Sequence, residues 1–254
     1  MAILAQWSGD GLPTDTPITT SSAGTGDTAF TTIGGAAGLS PATSSTALRS
    51  PGIQIPALTS QAKFVSWSSA IVGSHTNYAA RVYVEITGYG SSAASVLRVA
   101  NDGSEVARID IAGSAGSPPG EVRLRGAGAA LLDDSGSLGL SINTKYRLEL
   151  VANSGAITCT IYEGDTMNVW DTLTGTAAGS ITDIAFGSTL STTFPTFYID
   201  DMAVADSATP IGPAQLIEPT ANWTLWNGTS EVPLTLDGTW DGSTVTPASF
   251  DSVH

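Results

Sequence analysis

The chain has 254 residues and a formal net charge of −14, with 9 Lys and Arg against 23 Asp and Glu. Charged residues occupy only 13% of positions and hydrophobic ones 41%, which excludes the low-hydrophobicity, high-charge composition of a disordered chain and leaves ample material for a core. Helix formers are scarce, with two Lys, seven Glu and four Gln against abundant Ser, Thr and Gly, so a helical bundle is excluded as well.

The charge has a direction. All nine bases lie at or before Arg147, and residues 148–254 carry thirteen acids and no base. The acids of the second half must be solvated, paired with the first half, bound to cations or turned toward a basic partner. Nucleic acid is not an expected partner, because binding it needs a cationic footprint. An anionic membrane is disfavoured for the same reason, and no apolar run approaches the ~20 residues needed to span a bilayer. The N-terminus lacks the basic start and long apolar stretch of a signal peptide, which predicts synthesis in the cytosol. Cys159 is the only cysteine, so no intrachain disulfide is expected.

Taken in chain order, the Ser/Thr/Gly-rich stretch 19–46 reads as loop with one or two short strands. Segments 47–57, 62–70 (with Phe64 and Trp67) and 78–89 read as strands of one sheet, opposed to that of the middle region. Residues 95–100 and 105–112 flank Asn101-Asp102-Gly103-Ser104, and Asp102-Gly103 supplies the positive φ of a tight hairpin. A loop stiffened by Pro118-Pro119 precedes a strand at 121–125. Residues 145–152 and 156–163 form the clearest hairpin, joined by Asn153-Ser154-Gly155. Residues 165–180, around Trp170, read as a loop, and 181–186 and 197–206 as strands.

Alternation assigns faces in the middle region. Ile109, Ile111, Val122, Leu124, Tyr146, Leu148, Leu150, Ile157, Cys159 and Ile161 are predicted to point inward. Arg108, Asp110, Arg123, Arg125, Arg147, Glu149, Thr158 and Thr160 are predicted to point outward, as surface cross-strand pairs rather than a binding patch. Residues 207–213 have linker composition. The segment 214–254 holds three of the six Trp and is too short to fold alone, so its aromatics need a surface to cover them. The predicted organisation is a sandwich over 1–206, a linker over 207–213 and a Trp-rich docking segment over 214–254.

Three stretches carry a resemblance. Trp7-Ser8-Gly9-Asp10-Gly11-Leu12 is similar to the first strand and turn of the laminin-G/concanavalin-like jelly roll. Lys145-Tyr146-Arg147-Leu148-Glu149-Leu150 resembles a strand near that fold's end, and Phe197-Tyr198-Ile199-Asp200-Asp201-Met202 its closing strand. The resemblance covers about four-fifths of the chain and implies an all-β, antiparallel β-sandwich with a short C-terminal β tail. Leu225-Trp226-Asn227-Gly228-Thr229, followed by residues 232–242, is similar to C-terminal segments of minor tail and related virion proteins of phages infecting actinobacteria.

Catalytic constellations are sparse. Retaining hydrolysis by paired carboxylates needs two of them about 5–5.5 Å apart on one face. Glu85 is followed by Thr87 and Gly90 where carboxylates are needed, and Asp200 and Asp201 point to opposite faces of a regular strand. The only histidines are His75, in a loop-like stretch, and the terminal His254, so nucleophilic triads lack support. Cys159 alternates inward as an apolar thiol. Zinc-type clusters, phosphate loops and dinucleotide fingerprints are absent from the sequence. No cofactor is assigned except calcium, for which fold analogy offers Asp10, Asp27, Asp200 and Asp201. Trp170 and Tyr89 are the candidate glycan-stacking aromatics, and Trp223, Trp226 and Trp240 the docking aromatics.

These readings converge on a non-enzymatic phage virion protein, first of all a minor tail protein assembled in the host cytoplasm, with capsid decoration or head-fibre protein as the alternative. Its expected partners are other virion proteins and copies of itself, a trimer included. The competing class is a lectin-like module that binds host cell-wall glycan.

Overall fold

The computed structural model describes residues 1–9, 12–13, 17–24, 26–35, 52–177 and 179–214, together with the backbone of 40–41, 224–226 and 231–233. The chain divides into two compact units, Met1–Ala214 and Gln215–His254. In the second unit the described backbone is one antiparallel pair, Thr224–Trp226 with Glu231–Pro233. Asp10, Trp223, Trp240 and the side chain of Trp226 lie outside the described residues.

The first unit is built almost wholly of strands: β1 (Ala2–Trp7), β2 (Thr32–Gly34), β3 (Ser40–Pro41), β4 (Ile53–Ile55), β5 (Leu58–Thr59) and β6 (Lys63–Trp67). A single helical turn, α1 (Ser69–Val72), precedes β7 (Tyr78–Ile86), β8 (Ala94–Asn101), β9 (Ser104–Ile111), β10 (Glu121–Gly126) and β11 (Leu131–Gly139). Then come β12 (Lys145–Asn153), β13 (Ala156–Glu163), β14 (Val169–Thr176), β15 (Asp183–Ser188), β16 (Thr193–Phe194) and β17 (Phe197–Asp206).

Two antiparallel sheets hold most of them. The first runs β14-β13-β12-β7-β17-β4-β3, with β1 also paired to β17, and the second runs β11-β10-β9-β8-β15-β6-β2. Neighbours distant in sequence pair across both sheets, the crossing pattern of a jelly-roll sandwich. Among the described residues no helix is long and apolar enough to cross a membrane.

All ten side chains predicted to point inward are buried in one continuous core. An aromatic row crosses that core. Trp7 lies 5.7 Å from Phe30, Phe30 5.3 Å from Trp67, and Trp67 5.5 Å edge-on from Phe186. The Trp67 indole N–H donates to the carbonyls of Thr28 and Ala29, which ties the residues just before β2 to the core. Both predicted hairpins form with left-handed turn residues: Asp102 at φ 48° and Gly103 at 77°, Ser154 at 52° and Gly155 at 91°.

Several expectations are corrected. The strands at 53–55 and 78–86 do not oppose the 145–163 hairpin but belong to its sheet, whereas 63–67 joins β8–β10. Alternation fixes which side chains face inward and carries no information on which sheet a strand enters. The stretch after Ser68 is helical, not strand. Residues 169–176, expected in a loop, form edge strand β14, paired to β13 through a run in which Thr172, Thr174 and Thr176 alternate.

The outer face of the second sheet carries the expected mixture of charges. Asp110 accepts from both Arg108, at 2.6 Å, and Arg125, at 2.8 Å. Arg108 also pairs with Glu105 and Arg123 with Glu121. Burial lowers the Arg108 pKa, but the Asp110 and Glu105 carboxylates outweigh it and leave the guanidinium above its ordinary value.

Replacing Trp67 by Ala opens a cavity in the aromatic row and is expected to cost about 3–5 kcal/mol, read as a lower urea midpoint. Burial also pushes up the pKa values of the Tyr78 hydroxyl and the Cys159 thiol. Both groups stay protonated in the folded chain while the unfolded chain ionises near ~8.5 for Cys and ~10 for Tyr. The folded state then holds more protons, so stability is fully present below pH ~8.5 and falls as pH rises above it. Urea midpoints at pH 7.5 and 10.5 test this, and Tyr78→Phe should flatten the fall.

Candidate functional site on the outer face of the first sheet

Strands β7 and β12 lie side by side in the middle of the first sheet. Their inward residues, Val82, Val84, Leu148 and Leu150 among them, belong to the core. Their outward residues read Arg81-x-Tyr83-x-Glu85 and Lys145-x-Arg147-x-Glu149. The register sets Arg81 opposite Glu149, Tyr83 opposite Arg147, and Glu85 opposite Lys145. Directly opposed side chains on one face sit within ~4.5–5.5 Å at Cβ, so each row is a contact. On the far side β13 sets Tyr162 opposite Arg147, and on the near side β17 sets Asp200 opposite Tyr83 and Tyr198 opposite Glu85.

Sheet outer faces are ordinarily solvated; this one is buried. Arg147 and Tyr83 are fully inaccessible, Glu149 is 1% exposed, Glu85 2%, and Arg81 and Lys145 8%. The expectation of an exposed outer surface is therefore corrected for Arg147 and Glu149, and on the second sheet for Arg108 and Asp110, which are buried as well. One reason is the segment 207–214, which runs back against the face. The Gly212 N–H donates to Glu149 Oε2 at 3.0 Å, Arg81 Nη1 donates to the Gly212 carbonyl at 2.9 Å, and the Ala214 N–H donates to Tyr83 Oη at 2.9 Å. Gly212 takes φ 88°, a conformation that a side chain would strain. The turn after β13 adds a second cover. Asp165 pairs with Lys145 at 3.2 Å, and Met167 Sδ lies 3.8 Å from Arg147 Nη2.

The electrostatics are tight. The Arg147 guanidinium stacks 4.0 Å above the Tyr162 ring, and Lys145 Nζ lies 4.7 Å from the Tyr83 ring centroid. Arg147 Nε approaches Glu149 Oε1 to 2.8 Å, a fully buried ion pair. Arg147 Nη1 has no hydrogen-bond partner. Burial raises the Tyr83 pKa, against the pull of the Ala214 N–H and the two arginines, and burial lowers that of Arg81. A protonated phenol, guanidinium donors and carboxylate acceptors thus converge on one surface. That set can bind a neutral hydroxyl-rich or amide-rich chain and exchange protons with it.

The residues singled out from the sequence sit elsewhere. The Asp27 carboxylate is filled by the backbone N–H groups of Ser8, Gly9 and Gly24 and by the Ser8 hydroxyl, and it fastens the end of β1 to a loop. β1 does pair with β17, which brings the first and last strands together. Asp201 has φ 45° where the β17 register shifts, so the strand is bulged and simple alternation of Asp200 and Asp201 does not apply. Among the described residues no three His, Cys, Asp or Glu side chains group as a metal site. Trp170 is half-buried edge-on to Tyr146 at 5.6 Å, and Tyr89 donates from its hydroxyl to the Leu140 carbonyl at 2.8 Å. Both anchor their segments to the core.

The sequence matches no family model and no curated protein. Similar solved structures include domain 4 of AbnA, a GH43 extracellular arabinanase from Geobacillus stearothermophilus, in complex with arabinotriose. It is 14% identical, covers 82% of this chain and 93% of that one, and gives a TM-score of 0.52. The polysaccharide lyase family 7 alginate lyase AlgAT5 is 15% identical over 55% of this chain and 62% of its own, with a TM-score of 0.38. A Trypanosoma rangeli sialidase is 12% identical over 80% of this chain and 34% of its own, with a TM-score of 0.45. The likeness to a domain of an arabinanase gives no support to the expectation of a non-enzymatic chain, which is corrected, and none of the three structures bears on a virion role. The chain has the all-β, jelly-roll sandwich architecture expected of it.

Proposed function

We propose that residues 1–214 are a glycan-recognising β-sandwich module whose binding surface is the outer face of the first sheet. The observation that carries this reading is the set of cross-strand rows Arg81/Glu149, Tyr83/Arg147/Tyr162 and Glu85/Lys145. Planar guanidinium and carboxylate groups read paired hydroxyls, and the aromatic rings supply stacking area. The likeness to a domain of an arabinanase captured with an oligosaccharide supports it at the level of fold. A phage virion, tail or capsid, is the proposed context, resting on the resemblance of residues 225–242 alone, with the C-terminal segment docking on other virion subunits or on copies of this chain.

Full-length protein on an array of bacterial and plant cell-wall glycans is expected to bind at least one class. Tyr83→Phe and Glu149→Gln should each weaken that binding about tenfold or more while the far-ultraviolet circular dichroism is unchanged. Absence of binding to every glycan rejects the module reading. Separately, mass spectrometry of purified particles should detect the chain, and its absence from them rejects the virion context.

A further inference from the structure

The segment 207–214 lies on the polar face as a ligand would. It brings no charge, and Ile211 is its one large side chain. What it offers is an amide N–H to Glu149, a second amide N–H to the Tyr83 oxygen, an amide carbonyl to Arg81, and the buried methyl of Ala214. The three receiving side chains come from the two central strands and are held by the register, not by the segment. Arg147 supplies an independent sign that the face is built for more than this occupant. It is wholly buried between Glu149, Tyr162 and Met167 and ion-paired to Glu149 at 2.8 Å, yet its Nη1 makes no hydrogen bond. A buried guanidinium that is not fully bonded is costly, and a ligand with further acceptors would relieve that cost.

We propose that residues 211–214 occupy the site in place of its ligand, and that the ligand is a glycan bearing an acetamido group. This rests on the glycan-recognition reading and adds to it both a substrate class and a means of regulation. An acetamido group carries, on one sugar carbon, three of the four features that the segment presents from successive peptide groups: an N–H for a carboxylate, a carbonyl oxygen for a guanidinium, and a methyl; a ring hydroxyl stands in for the fourth, the N–H donor to Tyr83. The ring hydroxyls beside it supply acceptors for Arg147. With the segment seated, only the fraction of molecules in which it has lifted can bind, and the apparent dissociation constant rises by the inverse of that fraction.

The test compares the full chain with its Gly212→Pro variant. Proline cannot adopt φ 88° and has no N–H for Glu149, so the segment lifts while the sheet residues stay untouched. Ala214→Pro, which removes the donor to Tyr83, is the second variant should the first fail to fold by thermal melt. Each protein is titrated calorimetrically with chitotriose, with cellotriose (the same backbone with hydroxyls in place of acetamido groups), and with a synthetic peptide of residues 207–216. The variant is expected to bind chitotriose about tenfold or more tightly than the wild type does, and about tenfold or more tightly than it binds cellotriose. Equal affinities of variant and wild type for chitotriose overturn the occupancy. Cellotriose bound as tightly as chitotriose overturns the acetamido assignment, as does capture of the peptide without chitotriose, which would make the natural ligand a protein segment. A glycan that binds wild type and variant alike leaves the module reading standing and removes this inference alone. No glycan bound by either removes both.

Discussion

The strands at the centre of the first sheet are buried on both faces, and that constraint organises the molecule. β7 has no exposed residue along its whole length. Its inner face meets the second sheet with Val82 and Val84, and its outer face carries Arg81, Tyr83 and Glu85 in the same inaccessible condition. A charge cannot be buried alone, because the cost of desolvating it exceeds what packing returns. Each of these groups must therefore be met from the next strand, and the β7–β12 register provides the match: arginine beside glutamate, lysine beside glutamate, arginine beside tyrosine. A slip of one residue would bring Arg147 and Glu149 into the core and turn Leu148 outward. Fold and candidate site thus depend on one register, and neither can be altered without the other.

The sequence asymmetry of charge takes on a definite shape in this light. The first half settles its charges locally on the second sheet, where Arg98, Glu105, Arg108, Asp110, Glu121, Arg123 and Arg125 share two hairpins. The bases near the boundary between halves reach forward instead. Arg147 meets Glu149 and Lys145 meets Asp165; farther back in the chain, His75 lies 3.4 Å from Asp206. Glu149 is thus paired along its own strand and Asp165 across a turn, and the more exposed His75–Asp206 contact contributes little beside the buried ones.

How much of this was legible in advance follows from range. Alternation is a local signal, and it placed Ile109, Leu148, Cys159 and their companions inward without error. Turn chemistry is local too, and Asp102-Gly103 and Ser154-Gly155 close the hairpins they were expected to close. Sheet membership is not local: β7 joins β12 across about sixty residues and β17 across more than a hundred, and nothing in segment 78–86 names those partners. The burial of the outer face was hidden for the same reason, since Gly212 covers Glu149 from 63 residues away. One signal was available. Two strands with a large polar residue at three successive outward positions, Arg-x-Tyr-x-Glu and Lys-x-Arg-x-Glu, are more regular than a solvated face requires. Trp170 and Tyr89 drew attention as aromatics in glycine-rich stretches, yet such residues serve as well to fasten a loop or an edge strand, which is what both do.

The composition that marks 207–213 as a linker is also what lets it lie against the sheet. Glycine at 212 has no side chain to hold the backbone away from Arg81 and Glu149, and it reaches a φ that other residues resist. Proline at 213 has no N–H to leave unsatisfied against a buried surface. Three hydrogen bonds, two of them to charged groups, contribute about 0.5–3 kcal/mol each. Ordering four residues costs about 1–2 kcal/mol apiece. The two quantities nearly cancel, and burial of a few small apolar groups is left to decide the outcome. A segment balanced in that way stays seated in the absence of a competitor and yields to one that makes the same three bonds with fewer rotatable joints. Charged groups of the sheet are kept out of water by a cover that needs little to displace it, and the register beneath that cover is unaffected by whether it is present.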